Sequence, residues 1–140
     1  MSGHTTIETD LDTVDGPMHA FVSTPDGAPR GGVVVVQEAF GLTGHIRRVC
    51  ESLADAGYIA VAPALFHRCE DQVFGYGEYD RLRPVIMTIT RESIETDVDA
   101  AFAQALAAAM IASSALVGGL GAHLIERGLR RSGALPPVAA

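Results

Sequence analysis

The sequence predicts an α/β domain with a mostly parallel sheet, flanking helices and an N-terminal antiparallel hairpin. Three observations point to it. Val33 to Val36 are four consecutive valines, an all-apolar run that suits a strand covered on both faces, as in parallel sheets. Residues 45–56 then place Ile46, Val49, Cys50 and Leu53 at i, i+3, i+4 and i+7, one apolar stripe of a helix. A second apolar run, "YIAVAPALF" from Tyr58, follows. Residues 33–62 therefore read as a strand–helix–strand unit, with the right-handed crossover such units adopt.

The other elements follow in order. Residues 5–9 and 18–23 read as two short strands, and Asp15-Gly16-Pro17 between them is a turn signal. Residues 24–32, rich in Gly and Pro, form a loop. Gly57 is the expected stop of the first helix, and Pro63 ends the strand after it. Residues 69–90 are less regular, with a short helix broken at Pro84. A longer helix starts at Arg91, where Ile94, Val98, Ala101, Phe102 and Ala105 repeat at helical spacing. Glu92 and Glu95 lie near its positive end. A third parallel strand is expected at residues 114–117, another helix at 122–131, and a frayed tail at 132–140. The reading is one partial domain over residues 1–140, without internal repeats.

Bulk properties narrow the function. At 140 residues and 48% hydrophobic, the chain can bury a core. Its net charge of −7 disfavours nucleic acid and anionic lipid as partners. The start, "MSGHTTIETDLD", is neither a signal nor a transit peptide. Cys50 and Cys69 show no metal spacing, so free thiols in the cytoplasm are expected. Residues 100–125 carry no Asp, Glu, Lys or Arg. They are mostly Ala, Gly and Ser, with Gln104 and His123 inside, which argues against a membrane span. No cofactor is implied. His67 and His123 lie near predicted strand ends, but a zinc site needs about four ligands and none can be assembled.

In open α/β sheets, ligands bind beyond the carboxyl ends of the strands. Two stretches lie there: "QEAFG" at Gln37 to Gly41, and "GGLGAH" at Gly118 to His123. The first, together with the valine strand before it and "GYIAVAPALFHR" downstream, resembles the dienelactone hydrolase family of α/β-hydrolases. The similarity runs from about Met18 to Val117. It implies an incomplete α/β-hydrolase fold and a small-molecule carboxylic ester or lactone as substrate. Family members use a Cys-His-Asp triad and a covalent acyl-enzyme, with the nucleophile in a strained Gly-x-Cys-x-Gly-Gly turn. Here the corresponding stretch is Val117-Gly118-Gly119-Leu120-Gly121-Ala122-His123. It has no cysteine and is one residue short. Gly118, Gly119 and Gly121 are read as the remnant of that elbow, and the later acid and histidine have no counterpart. A shifted reading frame, a truncation or a degenerate copy would each produce this pattern. The good match before Val117 favours the first two.

The resemblance assigns Glu38 to the carboxylate that partners the nucleophile in the resting enzyme. It assigns the backbone N–H of Ala39 to the second oxyanion donor. Arg81, or Arg83, would meet a substrate carboxylate with its planar guanidinium, although a solvated arginine is the simpler reading. Cys50 lies on an apolar helix stripe, which suits a structural thiol. Cys69 follows His67 by two residues, yet no strained turn surrounds it. "GGLG" lacks the features of a phosphate loop.

Three readings follow. The first is an ester or lactone hydrolase by lineage, inactive as this chain alone. The second is a non-catalytic binding module that self-associates through an apolar sheet edge exposed at the strand expected near Ala115 to Val117. The third, a nucleotide-binding domain, lacks its glycine fingerprint.

Overall fold

The computed structural model describes residues 3–131, with side chains described as far as residue 112. A four-stranded sheet in the order β1-β2-β4-β3 lies between two helices. The strands are β1 (His4–Thr13), β2 (Gly16–Pro25), β3 (Gly31–Val34) and β4 (Tyr58–Pro63). The helices are α1 (Gly44–Asp55), α2 (Tyr79–Ile86) and α3 (Arg91–Arg131).

β1 and β2 form the expected hairpin, with both strands longer, at ten residues each, than the apolar pattern indicated. Thr13 pairs with Gly16 at the turn, Gly16 adopts φ 103°, and the Thr13 hydroxyl donates to the Gly16 carbonyl at 2.6 Å. β1 is mostly exposed, so alternating polar residues masked its length. Of the three strand pairings, β1–β2 and β2–β4 are antiparallel, and only β3–β4 is parallel. The mostly parallel sheet expected from the sequence is thus mixed over the described residues.

Side-chain alternation builds two cores. Met18, Ala20 and Val22 of β2 join Ile59 and Val61 of β4 beneath Ala101 and Ala105 of α3. On the opposite face Phe21, Ala60 and Ala62 meet Ile46 and Cys50 of α1. β4 is the strand covered on both faces, with Ile59, Ala60, Val61 and Ala62 fully buried. Among the described residues the valine strand is an outer strand, and its valines are only half-buried or exposed. A third cluster, Phe66, Phe74 and Leu82, anchors α2 beneath the loop that precedes it.

The helix boundaries have local causes. Gly57 follows α1 at φ 94° and donates to the Ala54 carbonyl at 2.9 Å, as its place after the helix predicts. α3 opens on a reciprocal cap. The Ser93 N–H donates to the Thr90 hydroxyl and the Thr90 N–H to the Ser93 hydroxyl, both at 3.1 Å, which satisfies two otherwise unpaired donors. Pro84 lies inside α2 and the helix ends at Ile86, two residues further on.

The C-terminal expectation is overturned. α3 runs unbroken to Arg131, so residues 114–117 are helical, and the separate helix at 122–131 is the end of α3. Alanine is the best helix former, and the alanine-rich run from Ala100 carries the helix onward. An apolar run of three residues, Ala115 to Val117, fits a helix as well as a strand. Gly118, Gly119 and Gly121 consequently lie within α3 and not in a strand-to-helix elbow. The tail at 132–140 lies outside the described residues. No helix among the described residues is long and apolar enough to cross a membrane.

Candidate active-site rim

Because β3 and β4 are parallel, their carboxyl ends open onto the same rim. The β3 ladder extends one residue past the strand, where the Val35 N–H donates to the Val61 carbonyl at 2.8 Å. The next contact is made by a side chain. Gln37 Oε1 accepts the Leu65 N–H at 2.9 Å, tying the segment after β3 to the segment after β4. The chain then leaves the sheet, and Glu38 and Ala39 are exposed at the tip.

The far side of the tip is equally fixed. Phe40 stacks near Tyr76 and Tyr79, with centroids 4.7 and 5.9 Å away. Its carbonyl accepts the Phe74 N–H at 2.9 Å. Gly41 has φ 91°, and a Cβ there would lie 2.0 Å from the Gln72 carbonyl oxygen. The glycine is required on both counts. Gln37, Phe40 and Gly41 thus clamp a loop that presents one carboxylate and one backbone amide at the strand ends. Glu38 has no ion pair among the described residues.

The other candidate residues are engaged elsewhere. Arg81 donates to Asp71 at 2.9 Å and also pairs with Glu78, and it lies over the Phe74 ring at 5.9 Å. Asp71, then Glu78, favour its charged form. The fork assigned to a substrate carboxylate grips two carboxylates of the chain itself. Arg83 is exposed. The Cys50 thiol is fully buried, and burial pushes it up to about 11, leaving it protonated and inert near neutrality. The Cys69 sulfur faces the Thr88 hydroxyl at 3.6 Å, while His67 Nε2 faces Asp97 at 3.2 Å. The sequence neighbours Cys69 and His67 therefore have different partners. No group of three or more His, Cys, Asp or Glu side chains among the described residues could hold a metal ion.

Sequence reasoning missed a buried charge cluster beside this rim. Arg68 donates to both oxygens of Asp97, at 2.7 and 2.9 Å, and its Nε donates to Asp15 at 2.8 Å. The Asp97 side chain is 1% exposed. The cluster joins the segment after β4 to α3 and to the hairpin turn. A signal was present: Asp97 lies four residues before Ala101, on the apolar stripe of α3, and a buried carboxylate needs a partner.

A mixed sheet with helices on both faces and a loop held at its parallel strand ends is an α/β architecture. The comparisons agree with that class. The profile of the Dienelactone hydrolase family matches residues 18–121, and the chain belongs to that family.

A protein of Methylorubrum extorquens, provisionally named carboxymethylenebutenolidase, is 36% identical over 90 residues, covering 64% of this chain and 31% of its own. One from Escherichia coli K12 with the same provisional name is 43% identical over 68 residues, covering 49% and 24%. A crystal structure from Klebsiella pneumoniae, provisionally titled a dienelactone hydrolase, superposes with a TM-score of 0.64 at 32% identity, covering 74% of this chain and 44% of that one. A dienelactone hydrolase-like promiscuous phosphotriesterase from metagenomic libraries gives 0.54 at 28% identity, covering 74% and 44%. The matched part of the chain thus spans less than half the length of these relatives.

Proposed function

We propose that these residues form the nucleophile-free part of a hydrolase of carboxylic ester or lactone bonds, one partial domain over residues 1–140. The observation that carries the proposal is the clamped loop from Gln37 to Gly41. It offers the Glu38 carboxylate and the Ala39 N–H at the strand ends, where ligands of such sheets bind. In the whole reaction a thiolate would attack the carbonyl and Ala39 would donate to the developing oxyanion. Glu38 would hold the resting nucleophile. Arg81 would reach a substrate carboxylate only by releasing Asp71 or Glu78. Gly118, Gly119 and Gly121 are not carried forward as an elbow, because α3 is helical there. Free thiols at Cys50 and Cys69 suit a cytoplasmic setting.

The coding DNA beyond codon 117, read in all frames, tests the proposal. A Gly-x-Cys-x-Gly-Gly turn followed by Asp and His supports it. Absence of that turn from every frame contradicts it.

A second reading keeps its basis in altered form. The edge expected at residues 115–117 is not a strand, because α3 is helical there; among the described residues β3 has a strand on one side only, and an open edge invites pairing. In this reading the chain is a non-catalytic, self-associating module.

A further inference from the structure

The segment after β4 is held at both ends. At its start the Ala64 N–H donates to the His19 carbonyl at 2.8 Å, and the Leu65 N–H donates to Gln37 Oε1 at 2.9 Å. Tight turns follow, with the His67 N–H on the Ala64 carbonyl at 3.0 Å and the Cys69 N–H on the Phe66 carbonyl at 2.8 Å. At its other end the side chains of His67 and Arg68 converge on one carboxylate, that of Asp97. Arg68 occupies both oxygens, and His67 Nε2 lies 3.2 Å from Oδ1. An ionised carboxylate only accepts, so that ring nitrogen carries the proton. The His67 and Asp97 side chains are 3% and 1% exposed. Three donors on one buried carboxylate make a stiff joint, because releasing any of them strands polarity away from water. The rim end is the weaker one. It rests on one neutral hydrogen bond, with Glu38 and Ala39 exposed beyond it.

We propose that Asp97 is a positioning residue of the rim. By holding His67 and Arg68 it fixes the turn of residues 64–69 and keeps the Leu65 N–H aimed at Gln37. It thereby sets where the Glu38 carboxylate and the Ala39 N–H stand. The proposal rests on the hydrolase reading above, in which those two groups serve the reaction, and such groups need placement to within about 0.5 Å by the bonds behind them. The path is short and packed. Phe66 alone separates Leu65 from His67, and the two apolar residues are 2% and 7% exposed. Neither swings without opening a void in a close-packed interior. Asp97 is itself referred to the sheet, because Ala101 and Ala105 of the same helix pack against β2 and β4. On the far side of the tip the Gly41 N–H donates to the Glu38 carbonyl at 3.2 Å. Loss of the Gln37 bond therefore loosens the tip without releasing the whole loop.

Nitrogen-15 relaxation and amide exchange on the full chain test this. Order parameters at Glu38 and Ala39 are expected near about 0.85 in the unaltered chain and to fall toward about 0.6 in Asp97→Asn. Exchange of the Leu65 amide is expected to quicken at least about tenfold in that variant. Gln37→Leu, which leaves the Asp97 cluster intact, reproduces both changes, and the double variant adds little to either, as one shared path requires. Gln37→Glu keeps an acceptor at the same reach and behaves as the unaltered chain. Ile59→Ala, fully buried near the opposite end of β4, lowers stability without either change, which separates positioning from general loosening. Where Asp97→Asn does not fold, Arg68→Lys, which keeps the charge but removes the fork, gives the same changes on a smaller scale. A tip already flexible in the unaltered chain, a tip unmoved in the cluster variant, or an equal change in Ile59→Ala overturns the proposal and leaves the hydrolase reading standing. A coding sequence without the Gly-x-Cys-x-Gly-Gly turn in any frame contradicts the hydrolase reading and leaves the coupling of Asp97 to the loop standing.

Discussion

Arg68 grips Asp97 with two donors, at 2.7 and 2.9 Å, across a boundary where the carboxylate is 1% exposed. Removing Arg68 leaves the buried Asp97 carboxylate with His67 at 3.2 Å as its remaining partner, and breaking such a buried pair costs up to about 3–5 kcal/mol. Arg68→Ala is therefore expected to lower unfolding free energy by about that amount in urea titration. Replacing both partners with Arg68→Met/Asp97→Leu is expected to recover most of the loss. A single-variant loss below about 1 kcal/mol would show that the pair behaves as an exposed one.

The rim loop depends on Gly41. Gly41→Ala adds a Cβ 2.0 Å from the Gln72 carbonyl oxygen at φ 91°, a backbone conformation that disfavours any side chain. The variant is expected to lose about 2 kcal/mol or more. Faster amide exchange at Ala39 and Phe74 should accompany the loss. Gly27→Ala, which meets nothing within 4 Å, is the contrasting control and should be nearly silent.

His4 adds a pH-dependent contribution. Its Nδ1 lies 2.7 Å from Asp55, and that hydrogen bond holds the imidazole above its ordinary 6.5. A group whose folded value is raised stabilises fully below its unfolded value. That contribution is lost as pH climbs through the folded value. The urea midpoint is therefore expected to fall as pH rises above 6.5, by a small amount because the pair is exposed. His4→Gln should flatten that part of the profile, and an NMR titration of His4 with a midpoint at or below 6.5 would contradict it.

The two thiols should separate by reactivity. Cys50 is 0% exposed, with its ionisation pushed up to about 11, whereas Cys69 is half-buried beside Thr88. At pH 8 a disulfide reagent is expected to modify one thiol in the folded chain and two in denaturant. Cys69→Ser should abolish the native reaction, and rapid labelling of Cys50 in the folded protein would contradict its burial.

The sequence exposed what local patterning controls. The α1 stripe of Ile46 and Cys50, the stop at Gly57 and the apolar run of β4 each carry a strong period or a positive-φ glycine, and each forms as expected. The valine run misled about position: such runs mark burial on both faces, yet here β4 is the central strand and β3 the outer one. The expected strand at 114–117 failed because alanine propensity extends α3, and a short apolar run carries no period to oppose it. Asp97 was legible only as an oddity on an apolar stripe. Its partners Arg68 and His67 lie 29 and 30 residues away in the chain, and no local pattern encodes such distances. At the rim, Gln37 to Gly41 stood out by resemblance. The staple from Gln37 to Leu65 and the Phe40 ring contacts emerged only with the fold.

The proposed rim offers the Glu38 carboxylate and the Ala39 N–H, with no nucleophile beside them among the described residues. Steady-state hydrolysis of 4-nitrophenyl acetate by the full chain tests it most directly. The expected rate is indistinguishable from that of buffer containing the Glu38→Gln variant. Saturable turnover that disappears in Cys69→Ser or in Glu38→Gln would contradict it.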